Sequence, residues 1–287
     1  MAKLHRPLLT NAARPATFEV EAYNERGEMV PTSIAGEHAL TLYLDKREIV
    51  TLMTLGHAPE ALAIGYLRNQ RLLKSIRDIA AVQVDWETDS VVVTTRGTPQ
   101  KAKALGAKMR KRTVTTGCGQ GTVFGDLMEE IDKVKLRADV RLAEAQLFDL
   151  VEKVRKHETI YKQSGAVHGC ALARASGPAQ AEIVMFVEDV GRHNAVDAIA
   201  GIMWLDAIDG SDKIFYTTGR LTSEMVIKCA QMGIPFLVSR SGLTKMGYEV
   251  AQKVGLTMLG RASGRHYLAF TGRQRIVRET PQATAYA

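Results

Sequence analysis

Cysteine is scarce in this chain. Three thiols, Cys118, Cys170 and Cys229, are scattered through 287 residues. They are too few and too far apart for a disulfide scaffold, so a reducing, cytoplasmic compartment is the expectation. Long apolar runs are missing too. The longest covers residues 198–205, well short of the roughly 18 needed to cross a bilayer, and no membrane association is expected. The N-terminal stretch carries Lys3 and Arg6 but no sustained apolar segment before Pro15, which argues against a secretory signal. Repeats and low-complexity tracts are absent. What is present is ordinary for a globular chain with a real core: 46% apolar and 24% charged residues. The length fits one large domain or two modest ones, at about 100–200 residues each.

Acidic residues are absent from one window, residues 90–125. It holds Arg96, Lys101, Lys103, Lys108, Arg110, Lys111 and Arg112, seven positive charges that equal the whole net charge of +7. A solvated face or a nucleic-acid patch is the usual meaning of such a run. No aromatic side chains are interleaved to stack bases, so nucleic acid is the weaker reading. A polyphosphorylated small ligand or an acidic partner suits the run as well.

Periodicity divides the chain. Residues 18–23 and 40–44 alternate as half-buried strands do. Pro59 opens a helix carrying Leu62, Tyr66 and Leu73, and residues 82–86 and 91–95 read as a hairpin. Residues 97–125, basic and rich in Gly and Thr, read as a linker or mobile loop. Beyond them, helical stripes on Ala143, Leu147, Leu150, Val151 and Val154, on Val196–Trp204, around Met225 and Cys229, and on Met246, Val250 and Val254 alternate with strands. The strands fall at 183–187, 213–216, 236–239 and 256–259, the first expected to be buried on both faces. This order predicts parallel βαβ units with helices on both sheet faces. Ligands in such sheets bind beyond the carboxyl ends of the strands.

Three loops at those ends are polar. One runs from Glu188 through Asp189, Gly191, Arg192 and His193 to Asn194. The second holds Thr217, Thr218, Gly219, Arg220, Thr222, Ser223 and Glu224, and the third Ser239, Arg240, Ser241, Gly242 and Thr244. Each offers an Arg, small hydroxyl residues and a helix N-terminus, the equipment for holding phosphate. Helix capping explains one such loop easily, but three on one rim favour a phosphorylated ligand. Arg220 and Arg240 are the better candidates for phosphate or guanine contact, because bidentate recognition uses their planar fork. Asp189 is able to cap its helix, and Arg192 or His193 to pair with it. His168 reads as a structural histidine, Cys229 as core and Cys170 as a packing residue.

Cys118 stands apart, between Gly117 and Gly119 with Gly121 close behind, six residues after Arg112. Open backbone and upstream positive charge favour a reactive thiolate there. A zinc deaminase would need His-x-Glu and Pro-Cys-x-x-Cys. The chain offers His168-Gly169-Cys170 and no Pro-Cys-x-x-Cys, so no metal site is expected.

Taken together, Gly165-Ala166-Val167-His168, the stretch from Glu188 to Asp197, Thr218-Gly219-Arg220, Ser223-Glu224-Met225, Gly233-Ile234-Pro235, Val238-Ser239-Arg240-Ser241 and Leu259-Gly260-Arg261-Ala262 resemble the formate dehydrogenase accessory sulfurtransferase family, FdhD. The resemblance implies an α/β fold: a deaminase-like three-layer domain without zinc (residues 143–287), a smaller N-terminal α/β domain (1–114), and a cysteine loop and connector between them (115–142). It implies a homodimer. It also implies persulfide sulfur taken from a cysteine desulfurase and passed to the molybdenum or tungsten of a bis(molybdopterin guanine dinucleotide) cofactor, which then goes to formate dehydrogenase. Cys118 matches the first cysteine of the family's Cys-x-x-Cys loop, whereas Gly121 stands at the second. Leu259, Gly260, Arg261, Ala262, Ser263 and Gly264 match its cofactor-contacting segment, and GDP would serve as a mimic. With them, Gly219, Arg220, Ser223, Glu224, Ser239, Arg240, Ser241 and Thr244 are the expected cofactor-binding residues. Two readings follow: a sulfurtransferase with Cys118 as carrier, and a chaperone that delivers the cofactor without sulfurating it.

Overall fold

The computed structural model describes residues 5–97, 131, 133–157 and 159–278, and the backbone of 113–114 and 121–122. Strand β1 (Leu8–Leu9) is followed by β2 (Thr17–Tyr23), β3 (Met29–Ala35), β4 (His38–Leu44) and β5 (Arg47–Thr54), then helix α1 (Pro59–Asn69), β6 (Ile79–Asp85) and β7 (Ser90–Thr95). Five of these strands form one sheet in the order β1-β6-β7-β4-β5, and β2 and β3 pair as a separate ribbon. Leu40, Leu42 and Leu44 of β4 are all buried, as alternation on a half-buried strand requires. The β6–β7 hairpin closes at Asp85 opposite Ser90, where the sequence puts it. Helix α1 starts on Pro59 and ends at Asn69. Leu73, expected on this helix, lies beyond it, because Arg71 adopts a left-handed φ of 53° that turns the chain away.

Most of the expected linker lies outside the described residues, including Cys118. On either side of it, β8 (Thr113–Val114) pairs antiparallel with β9 (Gly121–Thr122). Then come β10 (Leu142–Ala143), α2 (Glu144–Lys156), α3 (Ile160–Ser164), β11 (His168–Gly177), β12 (Gln180–Asp189), α4 (Arg192–Leu205) and β13 (Lys213–Thr217). The chain continues through α5 (Ser223–Gln231), β14 (Phe236–Ser239), α6 (Lys245–Val254), β15 (Thr257–Ser263), β16 (His266–Ala269) and β17 (Ile276–Val277), the last paired with β10.

Six strands form the second sheet, β12-β11-β13-β14-β15-β16. The parallel expectation holds for β13, β14 and β15 and fails elsewhere. Strand β11 runs antiparallel to both β12 and β13, and β16 antiparallel to β15. Gly177 pairs with Gln180, and so short a turn reverses the chain, whereas a parallel crossover needs a dozen residues or more. In consequence β12 is an edge strand, and Ile183 and Phe186 are half-buried where burial on both faces was expected. Helix α2 packs its Leu147, Leu150, Val151 and Val154 stripe against Ala171, Tyr216 and Val238 on one sheet face. Helices α4, α5 and α6 cover the other, over Leu172, Phe215, Leu237 and Met258.

Helix α1 joins the two sheets by crossing α4 at glycines. A Cβ at Gly65 would lie 1.7 Å from the Asp197 carbonyl oxygen, and one at Gly201 1.9 Å from that of Ala61. Both obstacles are backbone and have no rotamer to escape by. At the crossing, Asn69 Nδ2 donates to Asp197 Oδ1 at 2.7 Å, and Lys228 Nζ of α5 donates to Asp197 Oδ2 at 2.8 Å. Asp197 is 0% exposed and Lys228 2%. Alanine at Gly65 or Gly201 should therefore lower the unfolding free energy by about 3 kcal/mol or more. Alanine at Gly242, where a Cβ meets nothing within 4 Å, should change it by less than about 0.5 kcal/mol. Urea denaturation of the three variants checks this, and equal effects would count against the crossing as the constraint.

Candidate functional site

One rim of the second sheet collects the polar loops. The carboxyl ends of β13 and β14, the start of β11 and the end of β12 lie side by side there, since Thr217 pairs with Cys170 and with Ser239, and His168 with Asp189. A cavity of about 300 Å³ opens at this rim against α2 and α3. Four expected residues line it, Arg240, Ala262, Ser263 and Gly264, joined by Arg155, Lys162 and Thr218. The Arg240 guanidinium lies 5.2 Å from the Tyr161 ring centroid, a cation–π contact that holds an exposed charge in place.

The other expected residues build the frame. Ser239, fully buried, donates to the Gly219 carbonyl at 2.7 Å and accepts the Ser241 N–H at 2.9 Å. The two loops are joined by Leu221 N–H to Gly242 O at 3.0 Å and Thr244 N–H to Leu221 O at 3.1 Å. Gly219 is pressed on Arg192: a Cβ there would come within 2.3 Å of Arg192 Cδ. Thr244 caps α6 by accepting the Gly247 N–H, and Ser223 opens α5. Arg261 takes a left-handed φ of 54° and donates its N–H to Ser241 O at 3.0 Å. Its turn coincides with the register shift between Gly260 and Ser263 that swings Ser263 and Gly264 toward the cavity. Leu259 is sealed in the core, and Arg220 is exposed.

The stretch after β12 holds the architecture together. Glu188 accepts the N–H groups of Ile160 and Tyr161 at 2.6 and 3.1 Å, which sets Tyr161 beneath Arg240. Asp189 Oδ2 accepts the Thr54 hydroxyl at 2.5 Å, while Oδ1 accepts from Asn194 Nδ2 at 2.7 Å and from the Gly191 N–H at 3.3 Å. Asp189 does not cap α4, whose N-cap is Gly191 without a side-chain cap, and His193 pairs with Glu224 rather than with it. Its role is to tie the start of the helix to the first sheet. Burial pushes the Asp189 carboxyl up despite these bonds. Tyr161, Arg155 and Lys162 escaped the sequence reading. They sit on helices α2 and α3, not in loops, and nothing in their spacing points to the rim.

The described thiols are closed off. Cys170 and Cys229 are 0% exposed. Cys170 Sγ contacts Thr217 Oγ1 at 3.3 Å, and burial pushes this thiol up to about 12. Burial raises Cys229 well above the ordinary value too. Of the basic window, Arg96 is described, and its Nε donates to Ile79 O at 3.3 Å.

Glu224 turns inward. Its Oε2 lies 2.8 Å from His193 Nδ1 and its Oε1 3.5 Å from Lys228 Nζ. Burial alone would raise this carboxyl, but the Lys228 charge and the His193 N–H more than offset it and hold the group below the usual range. His193, 2% exposed, is lowered, first by burial and then by the Lys228 and Arg192 charges, against the pull of Glu224. A lowered imidazole binds fewer protons folded than unfolded, so its contribution to stability is present above the ordinary value of 6.5 and is lost as pH falls below it. Between pH 7 and 5, wild-type stability should fall relative to His193→Gln, by up to about 1.4 kcal/mol per pH unit. Denaturant titrations across that range test it, and a constant difference would show that His193 does not titrate between the two states.

The overall fold is shared with a solved structure. A Desulfotalea psychrophila protein described as a formate dehydrogenase accessory protein superposes with a TM-score of 0.71 at 25% identity, covering 92% of this chain and 100% of that one. In sequence, the sulfur carrier protein FdhD of Listeria monocytogenes is 29% identical over 262 residues, 90% of this chain and 95% of its own length. That of Saccharolobus solfataricus is 30% identical over 216 residues, covering 75% and 78%. The profile of the FdhD/NarQ family spans residues 35–277, from the end of the β2–β3 ribbon to β17, and the chain belongs to that family.

Proposed function

We propose that this protein is a cytoplasmic sulfur carrier that holds a persulfide on Cys118. A Cys118 thiolate attacks the terminal sulfur of a cysteine desulfurase persulfide. A new S–S bond forms at Cys118, the donor's S–S bond breaks, and the donor leaves as its thiolate. In the second step the Cys118 S–S bond breaks and Cys118 leaves as its thiolate. The outer sulfur bonds to the metal of a molybdenum bis(molybdopterin guanine dinucleotide) cargo in its reduced state, whose two electrons take that sulfur to the sulfide level. The cargo then enters formate dehydrogenase. The homodimer implied by the resemblance is part of the same proposal.

Thiol burial carries this reading. Cys170 and Cys229 are wholly enclosed and held un-ionised by burial, and the thiolate is the reacting form, so the role falls to Cys118. The rim cavity supports the cargo. At about 300 Å³ it stands at the low end of ligand sites and suits one nucleotide arm. Arg240, Arg155 and Lys162 supply charge for pyrophosphate, and the backbone of Ser263 and Gly264 can approach closely.

Incubation with a cysteine desulfurase and cysteine should add about 32 Da, one sulfur, to the Cys118 peptide and to neither other cysteine peptide. Cys118→Ala should show no adduct and should not restore formate dehydrogenase activity in cells lacking the wild-type protein. Restored activity would instead establish the chaperone reading, which Gly121 at the second cysteine position favours. For the cavity, Arg240→Ala should weaken GDP binding by about ten- to a hundredfold, and Tyr161→Ala by a few-fold, measured by calorimetry. Unchanged affinity in both would remove the nucleotide from this cavity.

A further inference from the structure

Tyr216 of β13 lines the rim cavity and has no part in the reading above. It sits on the cavity side of the sheet. Ile214 and Tyr216 both pack in the cluster built on α2, as alternation along a strand requires, and α2 supplies Val151 and Val154 to the cavity lining. Within that lining Arg155, Lys162 and Arg240 stand exposed at the mouth. Val151, Val154, Tyr216 and Ala262 are buried and form the floor. Two buried polar side chains interrupt this apolar surface. Glu188 is taken up by the N–H groups that open α3. Tyr216 is 4% exposed, and no described residue hydrogen-bonds its hydroxyl. Nor is that oxygen closed off, as the unpartnered Thr222 hydroxyl is. A phenol that is buried, unbonded and still open meets the cavity it lines.

Resting on the nucleotide reading of this site, we propose that Tyr216 is the ligand-binding residue for the base. The heterocycle enters the floor, where the Tyr216 O–H donates to one of its acceptor atoms. The phosphates stay at the mouth with Arg240, Arg155 and Lys162. This division follows from desolvation. A flat, uncharged heterocycle gives up far less hydration than a pyrophosphate does, so it is the part suited to an apolar floor. The phosphates keep both water and charged partners at the mouth. A single polar group among apolar side chains is how such pockets fix a ligand's orientation. A buried hydroxyl without a partner costs stability, and an acceptor on the base supplies the partner. Burial raises this phenol against the pull of the Arg240 charge, so the hydroxyl keeps the proton it donates.

The test uses the full chain and two probes, GDP and inorganic pyrophosphate, with affinities read by calorimetry. Tyr216→Phe removes the hydroxyl and keeps the ring that fills the floor. It should lose about five- to tenfold in affinity for GDP and stay within about twofold of wild type for pyrophosphate. In urea denaturation the same variant should be as stable as wild type or more so, because the lost oxygen has no partner among the described residues. Wild-type affinity for GDP in Tyr216→Phe would overturn the assignment and leave the cavity reading standing. An equal loss for both probes would put the hydroxyl on phosphate and overturn it as well. So would a variant less stable than wild type, since that result marks a structural bond. Wild type that binds neither probe would overturn the nucleotide reading itself, and this assignment with it.

Discussion

Helix α1 meets α4 with Gly65 against the backbone of Asp197, and that contact decides where the buried charges go. At such a spacing no water fits between the helices, so polar groups at the margin of the crossing must find partners within the protein. Asp197 finds Asn69 and Lys228, and Lys228 in turn lies near Glu224, which meets His193. Burying an ion pair adds little net stability, but leaving one member unpaired costs several kcal/mol. The chain of contacts therefore works as a constraint: α1, α4 and α5 have one relative placement in which every charge is answered. That placement sets the starts of α4 and α5, hence the rim.

The segment from Glu188 to Asp197 carries much of the family resemblance, and its side chains are chiefly joints. Glu188 holds α3, Asp189 and Asn194 hold the end of β5, and Asp197 holds α1 and α5. These are the contacts that bring a first-sheet strand, three helices and the polar rim to one place. A sequence pattern can thus identify a family through residues whose work is to join elements, because the rim exists only when those elements are in register.

This explains what could be read in advance. The strands 40–44 and 213–216, the helices after them and the rim loops follow from periodicity and cap chemistry, which are local. The β11–β12 hairpin escaped, since residues 168–177 mix small and polar side chains without alternation and the strand's direction depends on pairing across the sheet. The polar loops announced a rim, yet Ser239, Gly219 and Thr244 turned out to shape it while Arg240 faces the cavity. Tyr161 and Lys162 reach the site because Glu188 accepts the N–H groups that open α3, a contact between residues far apart in sequence. Small side chains at Gly65 and Gly201 gave no signal at all, since their importance lies in an absent atom.

The division of labour at the rim follows from burial. A sulfur carrier must meet two partners, and its sulfur must ionise. Cys170 fails both demands, because the place where β11 passes Thr217 is sealed by α4 and its dielectric disfavours a thiolate. The rim instead offers arginine guanidiniums, whose planar fork of donors suits anions. Under the proposed function, anion binding and sulfur chemistry therefore belong on separate parts of the chain. One stays fixed to the sheet by the joints around Asp189 and Asp197. The other, at Cys118, follows a basic window and is flanked by glycines. In the proposed sulfur carriage a single thiol suffices there, since taking up sulfur and releasing it each break one bond to that sulfur and form another. Gly121 in place of a second cysteine thus removes an internal relay and leaves the two elementary transfers intact.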